Sequence, residues 1–308
     1  MIDLSKPKRS KRSLATEIRA NAANYLMLLP FAVLFLFFTV LPILSSVVLS
    51  FTDFDMVQMP DFNGFSNYLR LLLNDEEFMI CVKNTLIFAF ATGPISYIAC
   101  FVFAWLINEL SPSLRTVMTT VFYAPSISGT LYAIFTWIFS GDMNGMVNSF
   151  LLRYGFINEP IQWLTDAKYV LTVVIIVQIW MSLGSGFLAF IAGLQGIDSQ
   201  IYEAGAIDGI KNRGQELIYL TLPSMGPQLF FAAVMQIGAS FSVSTIIVQL
   251  AGFPTTDYAA DTIVTYIMDH ASNRFEMGYA SAAAVVLFVM MVVTNAIVRK
   301  IINRIAPS

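Results

Sequence analysis

Long stretches without a charged side chain recur along this chain, and they limit its possible folds more than any other feature. Six such stretches each exceed the roughly 20 helical residues needed to cross the hydrocarbon core of a bilayer. They are residues 20–52, 84–108, 116–141, 169–197, 217–256 and 277–298. A soluble domain of 308 residues, 57% of them hydrophobic and 12% charged, would lack the polar surface it needs. The sequence therefore predicts an all-α membrane protein with six transmembrane helices.

Lysine and arginine residues indicate the orientation, because short cytoplasmic loops hold the positive excess. With residue 1 inside, twelve of the 17 basic residues fall on cytoplasmic segments. They are Lys6, Lys8, Arg9, Lys11, Arg12, Arg19, Arg115, Lys211, Arg213, Arg299, Lys300 and Arg304. We expect a multi-pass protein of the cell (plasma or inner) membrane with both termini in the cytoplasm. Residues 1–23 would form a basic cytoplasmic tail against anionic membrane lipid, and nothing supports nucleic-acid binding. Residues 24–304 would form one six-helix transmembrane domain.

Catalytic and metal-binding patterns are absent from the sequence. It has no G-x-x-x-x-G-K-[ST] loop for a nucleotide, no H-E-x-x-H pair and a single histidine. His270, in a predicted outer loop, is expected to be a solvated or capping imidazole. The spans also lack an ionisable residue at mid-depth, which proton-coupled carriers use to link proton movement to conformation. We therefore expect no enzyme, no cofactor and no metal on this chain, while a sodium site of hydroxyls and carbonyls stays open.

Uncharged polar side chains recur at helical spacing within three of the predicted spans. A neutral polyhydroxylated solute suits them, since each buried hydroxyl needs a partner and sugar CH faces stack on aromatic rings. The candidates for a substrate pathway are Tyr123, Ser126, Thr130 and Trp137 on the third helix, Gln178 and Ser182 on the fourth, and Gln236, Ser240 and Ser244 on the fifth. In the competing interpretation these groups only hydrogen-bond between helices, at about 0.6 kcal/mol for each bond.

A charged, glycine-punctuated segment, YEAGAIDGIKNRGQELIYLTLP, separates the fourth and fifth runs. Asp198 can cap a short helix that runs to Ile207, and Asn212 can begin a second helix. Asp208 and Gly209 can turn the chain between the two helices. We call residues 198–223 the hairpin. Because such a hairpin is stiff, it can pass a push from a cytoplasmic partner to the two spans that it joins.

The hairpin resembles the coupling loop of ABC-importer permeases, in which E-A-A is followed by a glycine and then by I-x-L-P. Glu203-Ala-Gly, Gly209 and Leu220-Thr-Leu-Pro223 stand at those places. The surrounding sequence is similar to the carbohydrate branch, the MalF-type and UgpA-type sugar permeases, and the likeness covers nearly the whole chain after the basic tail. Three positions depart from the pattern: Gly205 replaces the second alanine, the spacer before Leu220 is one residue longer, and Phe253 stands where a second glycine is common.

The resemblance implies a type I ABC importer permease fold with cytoplasmic coupling helices. On this basis the chain would be the transmembrane permease subunit of an ATP-driven, binding-protein-dependent importer for a neutral carbohydrate. Its implied partners are a second homologous permease, a dimer of ATPase subunits that bind ATP and magnesium, an extracytoplasmic solute-binding protein and the carbohydrate. The implied ATPase-coupling residues are Glu203, Ala204, Gly205, Asp208, Gly209, Leu222 and Pro223. The alternatives are a sodium-coupled or facilitative secondary transporter of a neutral solute, and a membrane scaffold that transports nothing.

Overall fold

The protein is all-helical over residues 21–127 and 131–305, which are the residues that the computed structural model describes. The helices run as follows: Ala22–Leu49 (α1), Glu76–Asn108 (α2), Pro112–Ile127 (α3), Leu131–Ile138 (α4), Met146–Arg153 (α5), Val170–Met181 (α6), Ser185–Gln195 (α7), Ser199–Ile207 (α8), Arg213–Ser224 (α9), Gly226–Phe241 (α10), Thr245–Ala251 (α11), Ile263–Met268 (α12) and Met277–Ile305 (α13). A short helix, Ser66–Leu69, and a π turn, Arg70–Asn74, precede α2.

Four of these units are long and apolar enough to cross a membrane alone, namely α1, α2, the joined α6–α7 and α13. Two further pairs, α3–α4 and α9–α10, meet the same criterion only together, and each pair is bent by 80°. Counting each bent pair as one span gives the six that the charge-free runs predict. The basic tail, apart from residues 21–23, lies outside the described residues.

Small side chains let α2, α7 and α10 approach one another closely at the centre of the bundle. A side chain added at Gly186 would lie 3.8 Å from Ala232 Cβ, and one at Gly93 would lie 3.3 Å from Ser240 Oγ. Phe187 and Phe190 fill the space beside these contacts and are fully buried. Cys81 and Cys100 are also buried and carry free thiols.

A hydrogen-bonded network closes the N-terminal end of α2 against α12 and α13. We call it the outer network, because the positions of the basic residues predict that this end of α2 faces away from the cytoplasm. The Asp75 carboxylate caps α2 by accepting a hydrogen bond from Phe78 N at 2.8 Å. It also accepts hydrogen bonds from the hydroxyls of Tyr266 and Tyr279, at 2.6 and 2.7 Å. Burial alone would raise the pKa of Asp75, but the hydrogen bonds from Tyr266, Phe78 and Tyr279 together outweigh it, so the pKa lies below its usual value.

His270 belongs to the same network, and the prediction of a solvated imidazole is wrong. Its side chain is 1% exposed because the rings of Tyr266 and Tyr279 enclose it, with centroids 4.3 and 5.0 Å away. Nδ1 lies 2.8 Å from Glu276 Oε2, while Nε2 has no hydrogen-bond partner among the described residues. Burial lowers the pKa of His270, and the hydrogen bond to Glu276 offsets part of that effect.

We expect acidification to destabilise this outer network. Because the folded-state pKa of His270 lies below 6.5, the unfolded chain binds the proton first as the pH falls through 6.5, and the free energy of unfolding decreases. The pKa of Glu276 is also depressed, so its contribution is present above its ordinary value of 4.5 and is lost at lower pH. Thermal unfolding in detergent between about pH 7.5 and about pH 5 should show the loss, and His270→Gln should flatten the upper half of that range. An unchanged pH profile in His270→Gln would contradict the assignment.

Candidate coupling site

The first helix of the hairpin, α8, begins and ends as its sequence predicts. Asp198 Oδ1 accepts a hydrogen bond from Gln200 N at 3.0 Å and so caps the start of α8. At the other end Gly209 has a φ of +96°, and the chain reverses there. Two bonds close this turn: Ile210 N donates to Gly205 O at 3.0 Å and Gly209 N to Ala206 O at 3.4 Å. This pair of bonds is a Schellman motif, in which glycine supplies the positive φ.

The second helix, α9, is capped by reciprocal bonds between two amide side chains and the backbone. Asn212 Oδ1 accepts from Gln215 N at 2.8 Å, and Gln215 Oε1 accepts from Lys211 N at 2.9 Å. After Pro223 the chain bends by 80° and continues as α10. Both ends of the reversal are therefore held by local bonds, as expected for a stiff element.

Gly205 is where the two hairpin helices meet. A methyl group at this position would lie 2.6 Å from Leu220 Cδ1 and 3.1 Å from Ile210 Cδ1, so these two side chains occupy the space that alanine would fill. The hydroxyls of Tyr202 and Thr221 lie 3.3 Å apart across the same junction. Packing therefore explains why glycine replaces the second alanine of E-A-A here, because the side chain of Leu220 packs directly on the backbone of α8 at Gly205.

The other candidate coupling residues divide between a solvent-facing surface and the bundle. The exposed surface of α8 and its turn includes Glu203, Ala204, Ala206, Ile207, Asp208 and Gly209. Ile207, the last residue of α8, is 87% exposed and places a large apolar side chain on this surface. Pro223 is exposed at the end of α9, while Leu222 packs on the core formed by α2, α7 and α10.

The structure adds a contact that the sequence did not indicate. Arg213, the first residue of α9, forms an ion pair with Glu109, which follows the last residue of α2. The chain positions of the two residues give no signal of this proximity, because Glu109 lies before α3 and Arg213 lies after α8. The pair joins the hairpin to the C-terminal end of α2.

Three hydroxyls of the predicted substrate pathway donate to carbonyls of their own helices. Ser126 Oγ donates to Tyr123 O at 2.8 Å, Ser182 Oγ to Ile179 O at 2.6 Å and Ser240 Oγ to Gln236 O at 2.8 Å. Ser240 also lies against Gly93 of α2 and is 3% exposed. Its position favours a helix contact over contact with a solute.

The remaining pathway candidates lie in different surroundings. Gln236 is 9% exposed on the face of α10 that packs in the bundle, and its side-chain amide makes no hydrogen bond to the described residues. Ser244 lies in the break between α10 and α11, and Gln178 is half-buried on α6. Trp137 is 60% exposed. The half-buried Tyr123 packs on the central core, and Thr130 lies outside the described residues.

Comparison with known proteins identifies relatives of this chain, although no family model matches it. The probable ABC transporter permease protein YesP of Bacillus subtilis (strain 168) is 34% identical over 277 residues, which cover 88% of this chain and 87% of YesP. The lactose transport system permease protein LacF of Rhizobium radiobacter is 34% identical over 230 residues, or 72% of this chain and 75% of LacF. The crystal structure of a bacterial alginate ABC transporter, in complex with an alginate pentasaccharide-bound periplasmic protein, contains a chain of similar fold. Its TM-score is 0.77 at 25% identity, over 96% of this chain and 99% of that one. The chain therefore belongs to the ABC transporter permease family and is a multi-pass, non-catalytic transport subunit.

Proposed function

We propose that this chain is the permease subunit of an ATP-driven, binding-protein-dependent importer for a neutral carbohydrate. The observation that carries the proposal is the stiff hairpin, capped at both ends and presenting Ile207 and small side chains to solvent. Small residues let the surface of another protein approach closely, and the exposed side chain of Ile207 can be buried against that protein. Membership of the ABC family supports ATP, rather than a sodium gradient, as the source of energy.

The proposal includes partners on both sides of the membrane. An ATPase dimer, which binds ATP and magnesium, would receive α8 at the cytoplasmic face, and a second homologous permease would complete the transmembrane pathway. An extracytoplasmic binding protein would deliver the solute. Both termini would then be cytoplasmic, as the basic residues predict. Closure of the ATPase pair would displace α8, and the hairpin would tilt the spans on either side of it.

A neutral substrate is supported by the absence of charge inside the spans. The six apolar runs contain no Lys or Arg that could neutralise an acidic sugar. Such a sugar would therefore cross this chain without a fixed cation at mid-depth. Alginate, named for the structural relatives, is an acidic polysaccharide. Uptake assays should therefore compare neutral oligosaccharides with acidic oligosaccharides, and a preference for the acidic set would contradict the neutral assignment.

Reconstitution tests the transport mechanism directly. Vesicles containing the chain, its permease partner, the ATPase dimer and the binding protein should accumulate a neutral sugar only when ATP is present. Omitting the ATPase should abolish accumulation against the gradient. Accumulation by this polypeptide alone, without nucleotide, would refute the proposal.

Gln236→Leu tests whether the bundle face of α10 contacts the solute. Loss of one hydrogen bond to a sugar hydroxyl, about 1 kcal/mol, should raise the apparent KM about fivefold. Assembly with the partner subunits should be unchanged, because Leu and Gln are similar in volume. Gln249→Leu makes the same chemical change at an exposed position of α11 and should leave uptake as in the wild type. Equal uptake in both variants would show that Gln236 packs between helices and does not contact the solute.

A further inference from the structure

An ion pair connects the hairpin to the inner end of α2. Arg213 Nη2 lies 3.0 Å from Glu109 Oε2. The other guanidinium nitrogen, Nη1, lies 2.8 and 2.9 Å from the two carboxylate oxygens of Glu216, one turn further along α9. Because Glu216 binds one nitrogen of the guanidinium, the group is oriented with its other nitrogen toward Glu109.

Glu109 stands on a turn that is fastened to α2. Arg115, at the start of α3, donates from Nη2 to the carbonyl oxygens of Asn108 and Leu110, at 2.6 and 3.2 Å. These bonds satisfy carbonyls that the end of α2 would otherwise leave free. A force applied at Glu109 therefore acts on α2 and not on a loose loop.

Packing does not fill the space beside the ion pair. A polar cavity of about 260 Å³ lies there, lined by Trp105 and Asn108 of α2 and by Tyr202 and Thr221 of the hairpin. The side-chain oxygen of Asn108 is buried without a hydrogen-bond partner among the described residues. Since this junction is open and polar, the Arg213–Glu109 contact bridges a gap that apolar contact does not close.

The far end of α2 lies in the outer network. The helix is continuous over its 33 residues and is therefore about 50 Å long at 1.5 Å per residue. Its outer cap, Asp75, binds the hydroxyls of Tyr266 and Tyr279. One helix thus runs without a break from the ion pair at the cytoplasmic side to α12 and α13 at the other side.

We propose that Arg213 is a positioning residue that transmits displacement of the hairpin through Glu109 to α2, and along α2 to the outer face. This inference rests on the proposed coupling of the hairpin to an ATPase. The hairpin is joined through the chain to α7 and α10, which pack on α2; the ion pair adds a direct connection from the hairpin to α2 itself. A movement at α8 then reaches helices that are far from it in sequence.

Exposure separates this role from a role in folding. The side chains of Arg213 and Glu109 are 64% and 41% exposed, and ion pairs at such sites contribute little to stability. Breaking the pair should leave the chain folded and assembled. A change in motion at the outer end of α2 would then report transmission.

The experiment uses the assembled complex and a non-hydrolysable ATP analogue, so no sugar need be known. A spin label at Glu76→Cys, on the exposed first turn of α2, reports the outer end, and the native cysteines are buried. Glu109→Gln removes the charge while Arg213 keeps Glu216. The reversed pair, Glu109→Arg with Arg213→Glu, restores opposite charges across the gap. Lys211→Gln is the matched control, because it removes a neighbouring exposed charge that forms no ion pair among the described residues.

In the wild type and in Lys211→Gln we expect the analogue to change the mobility of the label. In Glu109→Gln that change should fall about fivefold, with analogue binding and complex assembly retained, and the reversed pair should recover most of it. A full response in Glu109→Gln, no recovery in the reversed pair, or an equal loss in Lys211→Gln would overturn the role of Arg213. A wild-type complex that assembles without any response at residue 76 would do the same. Failure of the wild type to assemble with the ATPase would instead count against the proposed function.

Discussion

Gly209→Pro is expected to abolish nucleotide-driven uptake while the spans still insert. Proline holds φ near −65°, whereas the turn after α8 needs the +96° of Gly209. No atom lies within 4 Å of a side chain added here, so the effect is conformational and not steric. The bond from Ile210 N to Gly205 O would be lost, and α8 would no longer fold back on α9. The measurements are co-purification with the ATPase and ATP-dependent accumulation in vesicles.

Gly155→Pro is the matched control for this change. Gly155 also has a positive φ, +74°, with no atom within 4 Å of an added side chain, but it follows α5 and lies outside the hairpin. Both changes force a positive-φ turn to rearrange and remove one backbone hydrogen bond, from residue 209 to Ala206 O or from residue 155 to Leu152 O. Only Gly209→Pro should reduce association with the ATPase and the rate of ATP hydrolysis by the assembled complex. Normal co-purification together with normal uptake in Gly209→Pro would show that the hairpin does not couple the ATPase to transport.

Gly278→Ala is expected to lower stability more than other glycine-to-alanine changes in the helices. Gly278 lies in the first turn of α13, where its N–H donates to Phe54 O at 2.9 Å. A methyl group would overlap Thr52 O and lie 3.0 Å from Phe54 N. Both are backbone atoms, so no side-chain rotation can relieve the contact. The segment from Thr52 to Phe62, which folds back on itself, must move off α13.

Overpacking of this kind costs about 1–3 kcal/mol, which lowers the thermal midpoint of a chain of this size by about 2–10 °C. Gly238→Ala provides the comparison, because Gly238 is inside α10 and a side chain there meets no atom within 4 Å. That change should be neutral or stabilising by up to about 1 kcal/mol, since alanine favours helix more than glycine does. Thermal unfolding of both variants in the same detergent measures the difference. Equal midpoints would show that the outer segment does not pack on α13 as described.

Local bonding explains why the ends of α8 were predictable to the residue. Asp198 caps its own helix and Gly209 supplies its own turn, and both effects act within a few positions along the chain. The 40-residue run 217–256 was less informative. Its apolarity predicts that the run partitions into lipid, but not where the helix axis changes direction. The structure divides the run at the 80° bend between α9 and α10 and again after α10. Apolarity is a property of side chains, whereas the bend depends on what packs around the backbone.

The substrate-pathway residues show a further limit of sequence periodicity. Spacing of four places Gln236 and Ser240 on one face of α10, but it does not say what that face meets. In the structure Ser240 lies against Gly93 of α2 and its hydroxyl bonds to its own helix. A serine at helical spacing can equally donate to the carbonyl four residues earlier. Only the position of α2 distinguishes the two outcomes for Ser240.

The sequence by itself determined the membrane class, the number of apolar runs and the capped hairpin. Those features depend on transfer of side chains from water and on hydrogen bonds between near neighbours. The tertiary structure alone decided that His270 is buried between two tyrosines, that Leu220 covers Gly205 and that Arg213 meets Glu109. The contacts of His270 with Tyr279, of Leu220 with Gly205 and of Arg213 with Glu109 each join two different helices, and hydrogen bonds between near neighbours do not fix how those helices lie relative to one another.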